Sequence, residues 1–175
     1  MTARVWGFIT AAVPMRRLLT FTLALAVSLM PAVAGRADGA FVPHFVSLRH
    51  EIVNVRAGPG TRYPIAWVFK RQNLPVEALA EFDSWYKVRY ADGDQGWIHR
   101  RLLSSQRTAI VLAKTPQSLY RDADPNSALM LVAEPGVQGL LLACKGAWCR
   151  LEIERLKGWL PRVTLWGVYP HEEFD

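Results

Sequence analysis

The sequence predicts an all-β protein whose mature part is two tandem small β-barrels behind a cleavable export segment. Three observations carry this: an N-terminus that runs from charged to apolar to small residues, a period-two alternation of apolar residues beyond it, and an internal repeat offset by 63 residues.

At the N-terminus Arg16 and Arg17 precede an uncharged run, Leu18 to Met30, which ends at Pro31 and Ala32-Val33-Ala34. That order reads residues 1–34 as a signal peptide, with Met15 an alternative start directly before the arginine pair. The competing reading is an uncleaved anchor. The apolar run is shorter than the roughly 20 residues that cross a bilayer, and its A-x-A ending suits a signal peptidase. Cleavage after Ala34 leaves a chain without a membrane span, placed in the periplasm or secreted. It also removes three of the 21 basic residues and none of the 15 acidic ones, so the formal charge falls from +6 to +3. The remaining Lys and Arg are dispersed, as in Lys70-Arg71 and Arg100-Arg101, rather than gathered into a phosphate-neutralising stripe. Nucleic acid is therefore not an expected partner.

Laying Glu77 to Tyr90 over Leu140 to Ile153 puts Ala80 on Ala143, Trp85 on Trp148, Lys87 on Arg150 and Val88 on Leu151. After a one-residue gap Gly96-Trp97-Ile98 falls on Gly158-Trp159-Leu160, and Arg100 on Arg162. Two tryptophan pairs at nearly equal spacing, with matched apolar neighbours, indicate duplication. The expected domains are residues 41–107 and 110–170, joined around Arg107 to Thr115 by a short link with apolar Ile110, Val111 and Leu112. Unlike a Gly/Ser tether, it reads as a strand between barrels that touch.

Within the first copy the elements follow in order. Ile52 to Arg56 alternates as a short strand, and Ala57-Gly58-Pro59-Gly60 forces a long loop. Val68 to Arg71 and Val76 to Ala80 supply two further strands, and Trp85 to Tyr90 is half-buried, with Trp85, Lys87 and Arg89 on one side and Tyr86, Val88 and Tyr90 on the other. Ala91 to Gln95 carries the Asp and Gly of a tight reversal into the strand that begins at Gly96. Five short strands and one long early loop fit a small, strongly bent barrel. A barrel this small buries only about 60% of its unfolded surface, so packing two together offsets its marginal stability.

Asn54 to Pro64 (NVRAGPGTRYP), Trp85-Tyr86-Lys87-Val88, Asp92-Gly93 and Gly96-Trp97-Ile98 together resemble the bacterial SH3 domain family over about Phe45 to Leu103. The second half resembles it more faintly, keeping Tyr120-Arg121, Trp148, Gly158 and Trp159 but carrying Asp122 to Asn126 in place of Gly-Pro-Gly. The resemblance implies two tandem SH3-like barrels that bind peptides or cell-wall material without doing chemistry. The leading expectation is thus an exported non-catalytic binding or adaptor protein whose partner is an envelope protein, a peptide or peptidoglycan. A second reading is an envelope assembly factor with no open ligand groove, and a third is a cell-wall hydrolase.

Individual residues divide between contact and support. Tyr63, Trp67, Trp85 and Tyr90 are candidate ligand-binding aromatics between the early loop and the hairpin turns. Arg56 is a candidate for an acidic ligand group, with bracing of the loop ahead of it as the stronger reading. Trp97, Trp148 and Trp159 are read as structural, with Trp97 and Trp159 filling the cores. Cys144 and Cys149 flank a hairpin turn, so they should face each other across adjacent strands and, in an oxidising compartment, form a disulfide. His44, His50, His99 and His171 are scattered without a catalytic partner spacing, and Asp92/Asp94 and Asp122/Asp124 sit in turns without the full ligand pattern of a calcium loop. On these grounds no catalytic residue, metal or cofactor is expected, nor an enzyme.

Cleavage after Ala34 puts the mature N-terminus at Gly35 or within a few residues of it. Mass spectrometry of the exported protein checks this, and an intact Met15 segment is the opposing outcome.

Overall fold

The computed structural model describes residues 40–175; residues 1–34, read above as a signal peptide, lie outside them. In the first copy the strands are β1 (His44–Leu48), β2 (Ile52–Arg56), β3 (Ile65–Lys70), β4 (Pro75–Phe82), β5 (Trp85–Arg89), β6 (Gln95–His99) and β7 (Leu103–Ser104). The second contains β8 (Thr108–Val111), β9 (Gln117–Tyr120), β10 (Leu129–Ala133), β11 (Gln138–Lys145), β12 (Trp148–Ile153), β13 (Leu156–Pro161) and β14 (Leu165–Trp166). Sheet orders are β3-β2-β6-β5-β4-β1-β7 and β10-β9-β13-β12-β11-β8-β14, the same permutation repeated. The all-β architecture of two tandem SH3-like barrels is therefore what the chain adopts. Each copy has seven strands rather than the five expected. β1 escapes an alternation test because four of its five residues are buried, and β7 is only two residues long.

The repeat extends to irregularities. The pairing of β4 with β5 shifts register between Ala78 and Ala80, and that of β11 with β12 shifts between Leu141 and Ala143, the aligned positions. Each shift is a bulge that sharpens the bend of a long strand. Cys144 and Cys149 pair across β11 and β12 with Cα atoms 4.1 Å apart, joined as the expected disulfide. Gly146, at φ +54°, makes the intervening turn in a conformation that most side chains resist.

Two apolar clusters form the cores. The first gathers Val46, Leu48, Val53, Val55, Val76, Val88 and Ile98, and the second Val111, Leu119, Leu141, Leu151 and Leu160 around the disulfide. Neither contains Trp97 or Trp159, which corrects the expectation that these fill the cores. Gly96 and Ile98 are buried and Trp97 is half-buried between them; Gly158, Leu160 and Trp159 repeat the arrangement. Strand side chains alternate between faces, so burying the glycine and the aliphatic residue turns the tryptophan outward.

The barrels share a seam. Ile110 of β8 belongs to the first core, and Trp166 of β14 packs edge-on against Phe45 at 5.2 Å. The segment after β14 crosses back onto the first barrel. Tyr169 donates its hydroxyl to Glu77 Oε1 at 2.9 Å, and the buried Glu77 carboxylate also accepts from Arg89 Nε at 2.9 Å. Arg107 grips Glu172 with both terminal nitrogens and donates to the Gly167 carbonyl at 2.8 Å. Burial and the Glu77 bond push the Tyr169 hydroxyl well above its ordinary value. Burial raises the Glu172 carboxyl, but the Arg107 bonds and the Tyr169 amide outweigh it and hold that group below its ordinary value.

Ile98→Ala and Leu160→Ala are each expected to cost about 2–5 kcal/mol, against about 1–2 kcal/mol or less for Trp97→Ala and Trp159→Ala. Denaturant melts of the four variants check the order, and larger losses for the tryptophans would restore them to the cores. A second expectation concerns acid. Because the Glu172 value is depressed on folding, its contribution is complete above the unfolded value near 4.5 and fades as pH falls through the folded value. Glu172→Gln should thus lose about 1–2 kcal/mol at pH 7, and its deficit relative to wild type should shrink as the pH is lowered below 4.5, as read by urea melts across that range.

Candidate functional site

The early loop of the first barrel, from Ala57 to Pro64, is held by its own residues. Arg56 Nη1 donates to the carbonyls of Thr61 at 3.0 Å and Tyr63 at 2.6 Å, and Ala57 N–H donates to Pro64 O at 3.1 Å. The Tyr63 ring lies over Gly58, where an added Cβ would stand 2.5 Å from it, so only glycine leaves room for the ring. The Arg62 guanidinium rests over the Tyr63 ring, 5.2 Å from its centroid. Tyr63 and Arg56 therefore set the loop's shape.

Against this loop stands the outer face of β5 and β6. Their outward residues pair as Trp85 with His99, Lys87 with Trp97 and Arg89 with Gln95. Trp85 and His99 meet edge to face at 5.2 Å, and with Pro59, Gly60, Thr61, Arg62, Asp83 and Arg101 they line an open cleft of about 490 Å³. Arg101 N–H donates to His99 Nδ1 at 3.2 Å, so the neutral ring carries its proton on Nε2. The cleft offers an indole, an imidazole donor and two guanidinium groups against a single carboxylate. That composition suits a polar ligand with acidic groups and an apolar face.

The five ligand candidates do not converge. Trp85 lines the cleft, Tyr63 and Arg56 shape the loop beside it, and Trp67 and Tyr90 lie elsewhere. Trp67, Phe69 and Tyr90 form a chain with centroid spacings of 6.2 and 5.3 Å, packed against the first core. Grouping them with Trp85 mixed the two faces of one sheet, which corrects that expectation. Burial and then Asp92 raise the Tyr90 hydroxyl, with Arg71 opposing. His99, Arg62 and Arg101 were not expected at the site. The signal for His99 was its two-residue spacing from Trp97 on the same strand face.

In the second barrel the outward pairs are Trp148 with Pro161, Arg150 with Trp159 and Glu152 with Lys157. Trp148 meets Tyr120 at 6.2 Å, and Lys157 and Glu152 form an ion pair at 3.4 Å. The short loop beyond Tyr120 is organised by Asp124 Oδ1, which accepts from Asn126 N–H at 2.9 Å and from its Nδ2 at 3.0 Å. Among the described residues no cysteine is free and no group of three or more His, Cys, Asp or Glu side chains is placed to hold a metal.

The family described as the bacterial SH3 domain matches residues 49–105 and 113–167, one match in each barrel. A curated relative, the putative N-acetylmuramoyl-L-alanine amidase YrvJ of Bacillus subtilis, is 24% identical over 119 residues, which is 62% of this chain and 23% of that protein. The chain thus spans about a quarter of that relative's length. Solved structures include NlpC2 from Trichomonas vaginalis, 11% identical over 76% of this chain and 51% of that one, with a TM-score of 0.35. An NlpC/P60 family protein from Bacillus cereus is 12% identical over 70% and 55% of the two chains, with a TM-score of 0.32.

The amidase relative overturns one expectation. The absence of recognisable catalytic spacing predicted that the chain is not an enzyme, and a curated relative that carries an enzyme's name removes the ground for that exclusion. Motif spacing was too narrow a test, because catalytic groups are assembled in space from residues far apart in sequence.

Proposed function

The chain belongs to the bacterial SH3 domain family, and from that premise we propose that it recognises cell-wall material, with peptidoglycan peptides as the ligand class, within a peptidoglycan-hydrolysing system of the envelope. The observation that carries this reading is the cleft between the early loop and the β5–β6 face. Its Trp85 ring gives an apolar floor, His99 a donor, and Arg62 and Arg101 face the carboxylates that peptide stems carry. The openness of that cleft weighs against an assembly factor with its groove buried. Export fits the same reading, because the Cys144–Cys149 disulfide suits an oxidising compartment.

Co-sedimentation with purified, insoluble peptidoglycan tests the proposal. The wild-type chain is expected in the pellet. Reversing both cleft cations, Arg62→Glu with Arg101→Glu, should weaken the apparent affinity about tenfold while leaving the melting temperature unchanged, because both side chains are exposed. A wild-type chain that stays in the supernatant, or a double variant that sediments as well as wild type, overturns it.

A further inference from the structure

A second cavity, of about 480 Å³, lies on the outer face of the second barrel and draws nothing from the early loop of the first. Arg150 and Trp159, directly paired across β12 and β13, form one side with Lys145. Glu173, Phe174 and Asp175 form the other. This second wall is held firmly: Cys144 N–H donates to Phe174 O at 2.8 Å, Phe174 N–H returns to Cys144 O at 3.2 Å, and Gly146 N–H donates to Glu173 Oε1 at 3.1 Å. The disulfide clips the hairpin beneath it.

Three features point to a ligand. Trp159 is only half-buried while Gly158 and Leu160 do the packing, and a cation paired with a tryptophan recurs as Lys87 and Trp97 in the first barrel, where the loops have diverged. Arg150 makes no ion pair among the described residues and its inward Nε has no hydrogen-bond partner, so its charge is not met within the fold. Finally, the cavity shows both signs of charge, Lys145 and Arg150 from the strands against Glu173 and Asp175 from the C-terminal segment. A lone anion or a lone cation meets repulsion from one wall; a group that carries both charges does not.

We infer that this cavity binds a zwitterionic amino-acid group, its carboxylate facing Arg150 and Lys145, its ammonium facing Glu173 and Asp175, and its hydrocarbon stem lying on the Trp159 indole. The inference rests on the cell-wall reading and sharpens it: of the parts of a peptidoglycan stem, the one with this chemistry is a diamino acid with a free amine and a free carboxylate. The cleft at Trp85 and this cavity then take different parts of the same polymer.

The test is calorimetric titration of the purified exported chain with the tripeptide L-Ala-γ-D-Glu-meso-diaminopimelate. Binding is expected, and Arg150→Gln and Trp159→Ala should each weaken it about tenfold or more. The tripeptide N-acetylated on its diaminopimelate side amine should lose a similar factor. Arg150→Lys, which keeps the charge but not the planar fork, should lose less than Arg150→Gln. Circular dichroism melts establish that each variant is folded. Tripeptide binding that ignores Arg150→Gln and Trp159→Ala, or the absence of tripeptide binding by a chain that still sediments with peptidoglycan, overturns this inference and leaves the cell-wall reading standing. Failure in both assays overturns both.

Discussion

Strand β6 passes so close to β2 that a Cβ at Gly96 would lie 2.3 Å from Val55 Cγ1, and the aligned Gly158 would meet Leu119 Cβ at 2.6 Å. This close approach folds each sheet onto itself, and much else follows from it. With glycine forced inward, the next residue must face outward and the one after that inward. Ile98 and Leu160 therefore complete the cores, and Trp97 and Trp159 are carried to the outer surface beside Lys87 and Arg150. The duplicated tryptophans report a surface; the packing signature is the glycine and the aliphatic residue on either side of them.

The same economy of space explains why the two barrels adhere. A single barrel of this size buries too little apolar surface to be comfortable alone. Ile110 extends the first core, while Gly167, at φ +111° and with room for no Cβ against the Thr108 carbonyl, lets the chain double back under β8. That reversal brings Tyr169 to Glu77 and Glu172 to Arg107. Glu77 is buried, and a buried carboxylate without partners is costly, so Arg89 and Tyr169 are what make its position tolerable. The seam is completed by side chains that satisfy backbone carbonyls across it: Thr108 Oγ1 to Asn73 at 2.8 Å, Arg71 to Gly136 at 2.9 Å and Gln138 to Gln72 at 2.7 Å.

The repeat, the strand alternation and the facing cysteines were legible because each depends on local spacing. What was not legible depends on which face of a strand a third element covers. Trp85 sits on an outer face yet is buried, because a loop some 25 residues earlier folds against it. Tyr90 and Trp67 share the inner side with Val88 and Phe69, a placement that the alternation of Trp85 to Tyr90 already implied and that a grouping by aromatic character obscured. His99 looked isolated because its partner is a cross-strand neighbour, 14 residues away, rather than a motif spacing. The seam hydrogen bonds span 35 to 92 residues, so no local pattern announces them.

Duplication produced two equal ladders of outward pairs, and flanking residues decide which rung of each is accessible. In the first barrel the terminal rung holds His99, whose ring both caps the 3-10 turn at Arg100–Leu102 and edges onto Trp85. Its counterpart Pro161 makes no such cap bond and has no N–H to offer a ligand, so the terminal rung of the second barrel loses its polar function. The hairpin beside the first cleft is braced by an exposed Arg100–Glu81 pair at 3.2 Å, an interaction worth little and easily rearranged around a ligand. The aligned hairpin is clipped by a disulfide and paired to Phe174, while Arg162, aligned with Arg100, is buried and donates to the Tyr169 and Pro170 carbonyls. The C-terminal segment thereby shifts the usable surface of the second ladder from its end to its middle, at Arg150 and Trp159. The two barrels thus present different chemistry from one inherited pattern: an adaptable cleft with guanidinium groups at its rim in the first, and a walled cavity of mixed charge in the second.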